Sequence, residues 1–144
     1  DKVQSYIELA KQEGGQIVAG GKVIEKDGAW IEPTVITGLS HKSRTATEEI
    51  FGPVVTIHKF STNQEAISMA NSTNYGLAGS VWSKSMGKIV AEQIESGMVW
   101  VNTWLHRDLR VPFGGVKDSG VGREGGKWSI EFFSEAVNIC VMED

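Results

Sequence analysis

The chain has 144 residues, 40% apolar and 22% charged, enough for one soluble globular domain with a packed core. Its formal charge of -4, from 14 basic and 18 acidic residues with no run of one sign, supplies no field to hold nucleic acid or an anionic membrane surface. A single cysteine, Cys140, excludes an internal disulfide and a cysteine-rich zinc cluster, and no apolar stretch approaches the roughly 20 residues that span a bilayer.

Val3, Tyr6, Ile7 and Ala10 recur at helical spacing and stop at Gly14-Gly15, which predicts a short amphipathic helix with a glycine cap. No capping residue precedes it, as if the chain began partway into an element, and Asp1 to Gln4 carry no basic or apolar leader pattern. The expectation is an untargeted, cytoplasmic protein. Residues 16–24 and 29–36 are β-rich around an Asp27-Gly28 turn signal and predict a strand pair. A polar loop through Arg44 and Thr47 leads to Glu48-Glu49-Ile50-Phe51-Gly52-Pro53 and a strand from Val54 to Phe60, with the proline at its start.

Thr62 followed by Glu65 forms a capping box that opens a helix carrying Ala66, Ile67, Met69 and Ala70 and ending near Asn71 to Asn74. Strand-like runs Ala78 to Trp82 and Met98 to Val101 flank a second helix, with Met86, Ile89, Val90 and Ile94 on one stripe and Gly97 at its end. The Met98-Val99-Trp100-Val101 run is continuous, as expected of a central strand buried on both faces. Strands alternating with helices predict an α/β fold, a mostly parallel sheet with flanking helices. A glycine-rich stretch from Pro112 to Gly126, a helix over 127–134 and a terminal strand from Ala136 to Met142 complete the pattern.

Gly120-Val121-Gly122-Arg123-Glu124-Gly125 matches the G-x-G-x-x-G dinucleotide fingerprint by letter. The fingerprint also needs an apolar strand just before it, which Pro112 to Ser119 does not supply, and an acidic residue at the end of a second strand some twenty residues on, where the sequence stops at Glu143-Asp144. The glycines are better read as permitting a tight loop with close backbone approach.

Three stretches, Glu48 to Pro53, Gly97-Met98-Val99-Trp100-Val101-Asn102, and Pro112-Phe113-Gly114-Gly115 through Glu124, resemble the aldehyde dehydrogenase superfamily. Ile31-Glu32-Pro33-Thr34-Val35 and Asn74-Tyr75-Gly76-Leu77-Ala78 also resemble it and fall in its order, so the resemblance runs along nearly the whole chain. It implies that residues 1–134 are the C-terminal part of the catalytic domain and residues 135–144 a terminal oligomerisation strand of a homo-oligomer. It further implies NAD (or NADP) as cofactor, oxidation of a small-molecule aldehyde to the acid, and a nucleophilic cysteine, base glutamate and Rossmann domain all lying before this segment. The segment alone is then expected to be inactive. The reading from another class is a catalytically silent α/β module kept for binding or oligomerisation.

No residue here is expected to be catalytic. The resemblance makes Glu49 the acceptor for the ribose hydroxyls on the nicotinamide side and packs Phe51 beside the nicotinamide ring. It makes the loop from Thr103 to Val111 line the substrate tunnel, with Trp104 and Phe113. Two arginines in that loop, Arg107 and Arg110, suit an anionic substrate, because a guanidinium can hold a carboxylate through two parallel hydrogen bonds. Trp104-Leu105-x-Arg107-x-Leu109 resembles the branch that oxidises 2-hydroxymuconic and 2-aminomuconic semialdehydes; betaine-type and retinal-type members stay open. Arg107 is the expected carboxylate ligand, against the alternative of a solvated or Asp108-paired arginine. Cys140, with no histidine near it in sequence, is expected to pack rather than react. His41, His58 and His106 lack metal-ligand spacing, so no metal is implied.

Overall fold

The computed structural model describes residues 2–24 and 26–143, and divides at Asn74/Tyr75 into two units. In the first, α1 (Lys2–Gln12) is followed by β1 (Gln16–Ala19), β2 (Thr34–Thr37), α2 (Arg44–Thr47), β3 (Val54–Thr56) and α3 (Asn63–Asn71). Gly14, at φ 86°, takes the left-handed conformation that stops α1, and the Gly15 amide returns to the Ala10 carbonyl at 2.8 Å.

The expected strand pair forms with interruptions. β1 runs antiparallel to β2 with Gln16 opposite Thr37, a bulge falls between Ile17 and Ala19, and an isolated bridge joins Val23 to Ile31 nearer the turn. Thr34 is buried yet satisfied, because its hydroxyl donates to the Glu32 carbonyl (2.8 Å) and accepts from the Gly21 amide (2.9 Å). β3 lies parallel to β2 on its other side, in the order β1-β2-β3. The core of this unit is the face where Ala10 of α1 meets Ile36 of β2 and Leu39, with Ile17 and Val54 packed against it. Each such aliphatic side chain removed from water contributes about 1.5–3 kcal/mol.

α3 starts as its sequence predicts. The Glu65 amide donates to the Thr62 hydroxyl at 3.1 Å, while the Glu65 carboxylate accepts from the Ser61 amide at 2.7 Å, one residue earlier than in the usual box. α2 was expected as loop: this single turn exists because the carboxylate of Glu13, far away in sequence, accepts from the amides of Arg44 (2.8 Å) and Thr45 (3.1 Å).

The second unit contains β4 (Tyr75–Gly76), β5 (Ala78–Val81), α4 (Gly87–Ala91), β6 (Met98–Val101), β7 (Val116–Lys117) and α5 (Gly126–Phe132). β5 and β6 are parallel with Ala78 opposite Met98, as a strand–helix–strand crossover requires, and β4 pairs antiparallel with β7. The α/β class therefore holds, and both crossover pairs, β2–β3 and β5–β6, run parallel. α4 is shorter than its apolar stripe suggested. β6 is half-buried along its length and not sealed on both faces, because β5 is its only strand neighbour among the described residues.

Residues 136–142, expected to be a strand, form no ladder with any described residue and are exposed throughout. A strand exists through its hydrogen-bonded partner, and nothing described in this chain supplies one. Cys140 is consequently exposed in this chain, not packed, with its sulfur 3.6 Å from the Asn138 amide nitrogen. Among the described residues no helix is long and apolar enough to cross a membrane.

Candidate functional site

Two loops carry the residues singled out above, one in each unit. In the first unit the segment 48–53 leads into β3. Glu49 is exposed, and its carboxylate has no hydrogen-bond partner among the described residues, whereas its backbone carbonyl accepts from Lys2 Nζ at 2.6 Å. Phe51 is 86% exposed at φ 58°, a left-handed conformation that costs a bulky residue about 1–3 kcal/mol and persists only where surroundings impose it. The loop thus holds out a free carboxylate and a bare aromatic face two positions apart in sequence.

Glu48, passed over in the sequence, is the engaged member of the pair. Its carboxylate accepts from Arg44 Nε (2.7 Å) and Nη2 (3.0 Å), a bidentate contact across one helical turn, and from the Tyr6 hydroxyl at 2.6 Å. The hydrogen bonds from Arg44 and then Tyr6 lower the Glu48 carboxyl to about 2, and the same contacts raise Arg44 and Tyr6. Glu13 is opposed by burial, which raises it, but the Thr45 side chain and the Thr45 and Arg44 amides together hold it below its ordinary value. Two adjacent glutamates of identical type therefore divide, one locked and one free.

In the second unit the loop after β6 is anchored at its root. Asn102, at φ 54°, turns the chain, and its side-chain amide accepts from the Ser83 amide (2.8 Å) and donates to the Ser83 carbonyl (2.9 Å). Ser80 of β5 donates to the Thr103 carbonyl at 3.1 Å, and Trp100 Nε1 donates to the His106 carbonyl at 2.8 Å. Trp104 stands edge-on to Trp100, centroids 5.0 Å apart, with half its surface open.

The two loop arginines part company. Asp108 takes Arg110, through Nε at 2.9 Å and the Arg110 amide at 2.9 Å, which lowers Asp108 and raises Arg110. Arg107 instead turns to a different carboxylate, that of Glu124. Arg107 lies with its guanidinium carbon 3.9 Å from the centre of the Phe113 ring and with one nitrogen 3.3 Å from Glu124. Phe113 and Glu124 exchange both backbone hydrogen bonds (2.9 and 2.8 Å), so ring and carboxylate reach Arg107 from paired positions.

That bridge also disposes of the glycine fingerprint. Residues 120–125 are bends around the Phe113–Glu124 bridge, and the strand before them, β7, is two residues long and pairs antiparallel with β4, not the buried parallel strand the fingerprint needs before its helix. Arg123 Nη1 donates to the carbonyls of Gly115 and Gly122, both at 2.7 Å, and ties the loop to itself. Beside it Phe113, Leu77, Val121, Phe132 and Phe133 line a largely apolar cleft of about 440 Å³. Among the described residues no group of three His, Cys, Asp or Glu side chains is placed to hold a metal ion.

Comparison with known proteins rests on the same stretches. Residues 1–139 match the model of the aldehyde dehydrogenase family. The chain belongs to that family. It is 51% identical over 151 residues to 2-aminomuconic 6-semialdehyde dehydrogenase of a Pseudomonas species, covering 100% of this chain and 31% of that protein. It is 50% identical to 2-hydroxymuconic semialdehyde dehydrogenase of Pseudomonas putida, covering 98% of this chain and 30% of that one. Betaine aldehyde dehydrogenase of Staphylococcus aureus, solved in complex with NAD+, superposes with a TM-score of 0.86 at 46% identity over 92% of this chain and 27% of its own. The aldehyde dehydrogenase chain described here thus spans about a third of the length of the curated relatives it matches.

Proposed function

We propose that this chain carries the nicotinamide-facing loop and the substrate-selecting loop of an NAD(P)-dependent aldehyde dehydrogenase. The substrate is a semialdehyde bearing a carboxylate, which the parent enzyme oxidises to the acid. The observation that carries the substrate class is Arg107, the loop arginine left over after Asp108 has taken Arg110 and held flat on Phe113. Among the described residues its carboxylate contact is a single 3.3 Å approach to the exposed Glu124, worth about 0–1 kcal/mol, so an incoming carboxylate displaces it at little cost. The names of the two Pseudomonas relatives, both semialdehyde dehydrogenases, support the same class. Phe113 gives the guanidinium an apolar face, and Trp104, packed edge-on to Trp100, adds a second apolar side chain to the same loop for the substrate to meet.

The cofactor reading is supported by the free Glu49 carboxylate, a pure acceptor suited to two ribose hydroxyls, and by the bare Phe51 ring, which offers a flat face to the nicotinamide. Bound NAD(P)+ would supply the hydride acceptor. The thiolate, base and adenosine site come, on this reading, from the rest of a longer chain, and Cys140 has no part in the chemistry. Residues 135–144 serve as an edge for pairing with a second copy in a cytoplasmic homo-oligomer, for which the support is that residues 135–143 are exposed and form no ladder with any described residue.

The deciding experiment is the kinetics of Arg107→Ala in the parent enzyme. KM for an acidic semialdehyde rises about 30-fold or more while that for a neutral aldehyde stays within about twofold, as loss of a charge-assisted bond to the substrate requires. An equal effect on both substrates refutes the assignment.

A further inference from the structure

The segment 48–53 is supported by one face of α1. Lys2 and Tyr6 are i,i+4 neighbours and Val3 and Tyr6 are i,i+3 neighbours, so the three side chains share a side of the helix. Each meets the loop at a different residue: Lys2 Nζ at the Glu49 carbonyl (2.6 Å), the Tyr6 hydroxyl at Glu48 (2.6 Å), and Val3 at Gly52, where an added Cβ would stand 2.4 Å from Val3 Cγ2. The helix is immobilised in turn, because Ile7 and Ala10 on its inner side are fully buried.

Two features set this apart from ordinary packing. The contacts are mostly polar, that of Lys2 exposed and that of Tyr6 part-buried, and none belongs to the apolar core of the unit. They converge on a loop whose Phe51 is in a costly left-handed conformation and whose Glu49 carboxylate is unspent, the combination found where a backbone is held for binding.

We propose that the Lys2–Val3–Tyr6 face of α1 is the positioning element of the 48–53 loop, and that through Glu49 and Phe51 it sets the affinity for the nicotinamide cofactor without touching it. The inference rests on the reading of Glu49 as the ribose acceptor. Tyr6 and Val3 are positioning residues: Tyr6 acts through Glu48, and Val3 through the backbone of Gly52.

The test is the dissociation constant of NAD+ for the parent enzyme by titration calorimetry, read beside the melting temperature. Tyr6→Phe keeps the ring and deletes one charge-assisted bond; it weakens NAD+ binding about fivefold while lowering the melting temperature by no more than a few degrees. Gly52→Ala presses on Val3 and weakens binding comparably, and the pair Val3→Ala with Gly52→Ala restores it by making room. Glu49→Gln separates the two readings. If Glu49→Gln weakens binding while Tyr6→Phe and Gly52→Ala do not, or if Val3→Ala fails to rescue Gly52→Ala, the positioning role alone falls. If Glu49→Gln leaves binding unchanged, the cofactor assignment and the inference fall together.

Discussion

In the first unit Ile7, Ala10, Ile36, Leu39 and Ile67 are buried, whereas in the second Trp82, Leu109, Val121, Ile130, Phe132 and Phe133 all remain largely exposed. The contrast follows the elements each unit holds: helices of 11 and 9 residues in the first, of 5 and 7 in the second. The first lays a full helix across a three-stranded sheet and closes a core. The second has two two-stranded sheets and short helices, too little to cover its own apolar surface. The unit carrying the 48–53 loop is stabilised from within, while the unit carrying the 103–111 loop is held by backbone fit and leaves its apolar side chains exposed.

The largest test of that difference is Gly97→Ala in the second unit. A Cβ there would lie 1.7 Å from the Gly114 carbonyl oxygen, backbone against backbone with no side chain to yield, so the cost should reach about 3 kcal/mol or more. Urea unfolding of the parent enzyme measures it; a loss below about 1 kcal/mol would show that this unit is not held by close backbone fit.

Ile36→Ala probes the other unit. Truncating a side chain with no exposed surface at the meeting of α1 and β2 should cost about 2–5 kcal/mol, while Val121→Ala, at 98% exposure, should stay within about 0.5 kcal/mol in the same assay. Equal losses would erase the contrast between a closed and an open unit.

The smallest effect is acid sensitivity. The Glu48 carboxyl sits at about 2 in the folded chain against an ordinary 4.5, so its contribution is fully present above about pH 4.5 and is lost as pH falls through 2. The group is partly exposed, which keeps the contribution modest. Glu48→Gln should flatten the acid limb of the first unit's unfolding midpoint, leaving the weaker acid dependence carried by Glu13. An unchanged acid limb would mean that the Arg44 and Tyr6 contacts do not survive in solution.

What the sequence foretold was local. The capping box of α3 and the glycine stop of α1 depend on residues within one turn of each other, and the strand–helix–strand crossover on the periodicity of consecutive segments; all three stand where expected. What it hid was remote. α2 depends on a carboxylate at Glu13, and β4 and β7 are two-residue strands joined across some forty positions, with no periodicity to announce them. Glu48 and Glu49 differ only in what surrounds them, and Asp108 selects Arg110 over Arg107 through geometry that residue type cannot reveal. The terminal segment reads as a strand because its side chains suit one, but pairing is a property of two segments.

The Asn102 clamp on Ser83 has a consequence for how such enzymes diversify. Because the strand end is sealed by one side chain, and the far end of the loop is fixed by the Phe113–Glu124 bridge, residues 103–111 sit between two fasteners that do not depend on their own composition. They can be rewritten as a cassette. A graft of this stretch from a relative with a different aldehyde preference should carry its selectivity along while leaving the scaffold on either side undisturbed.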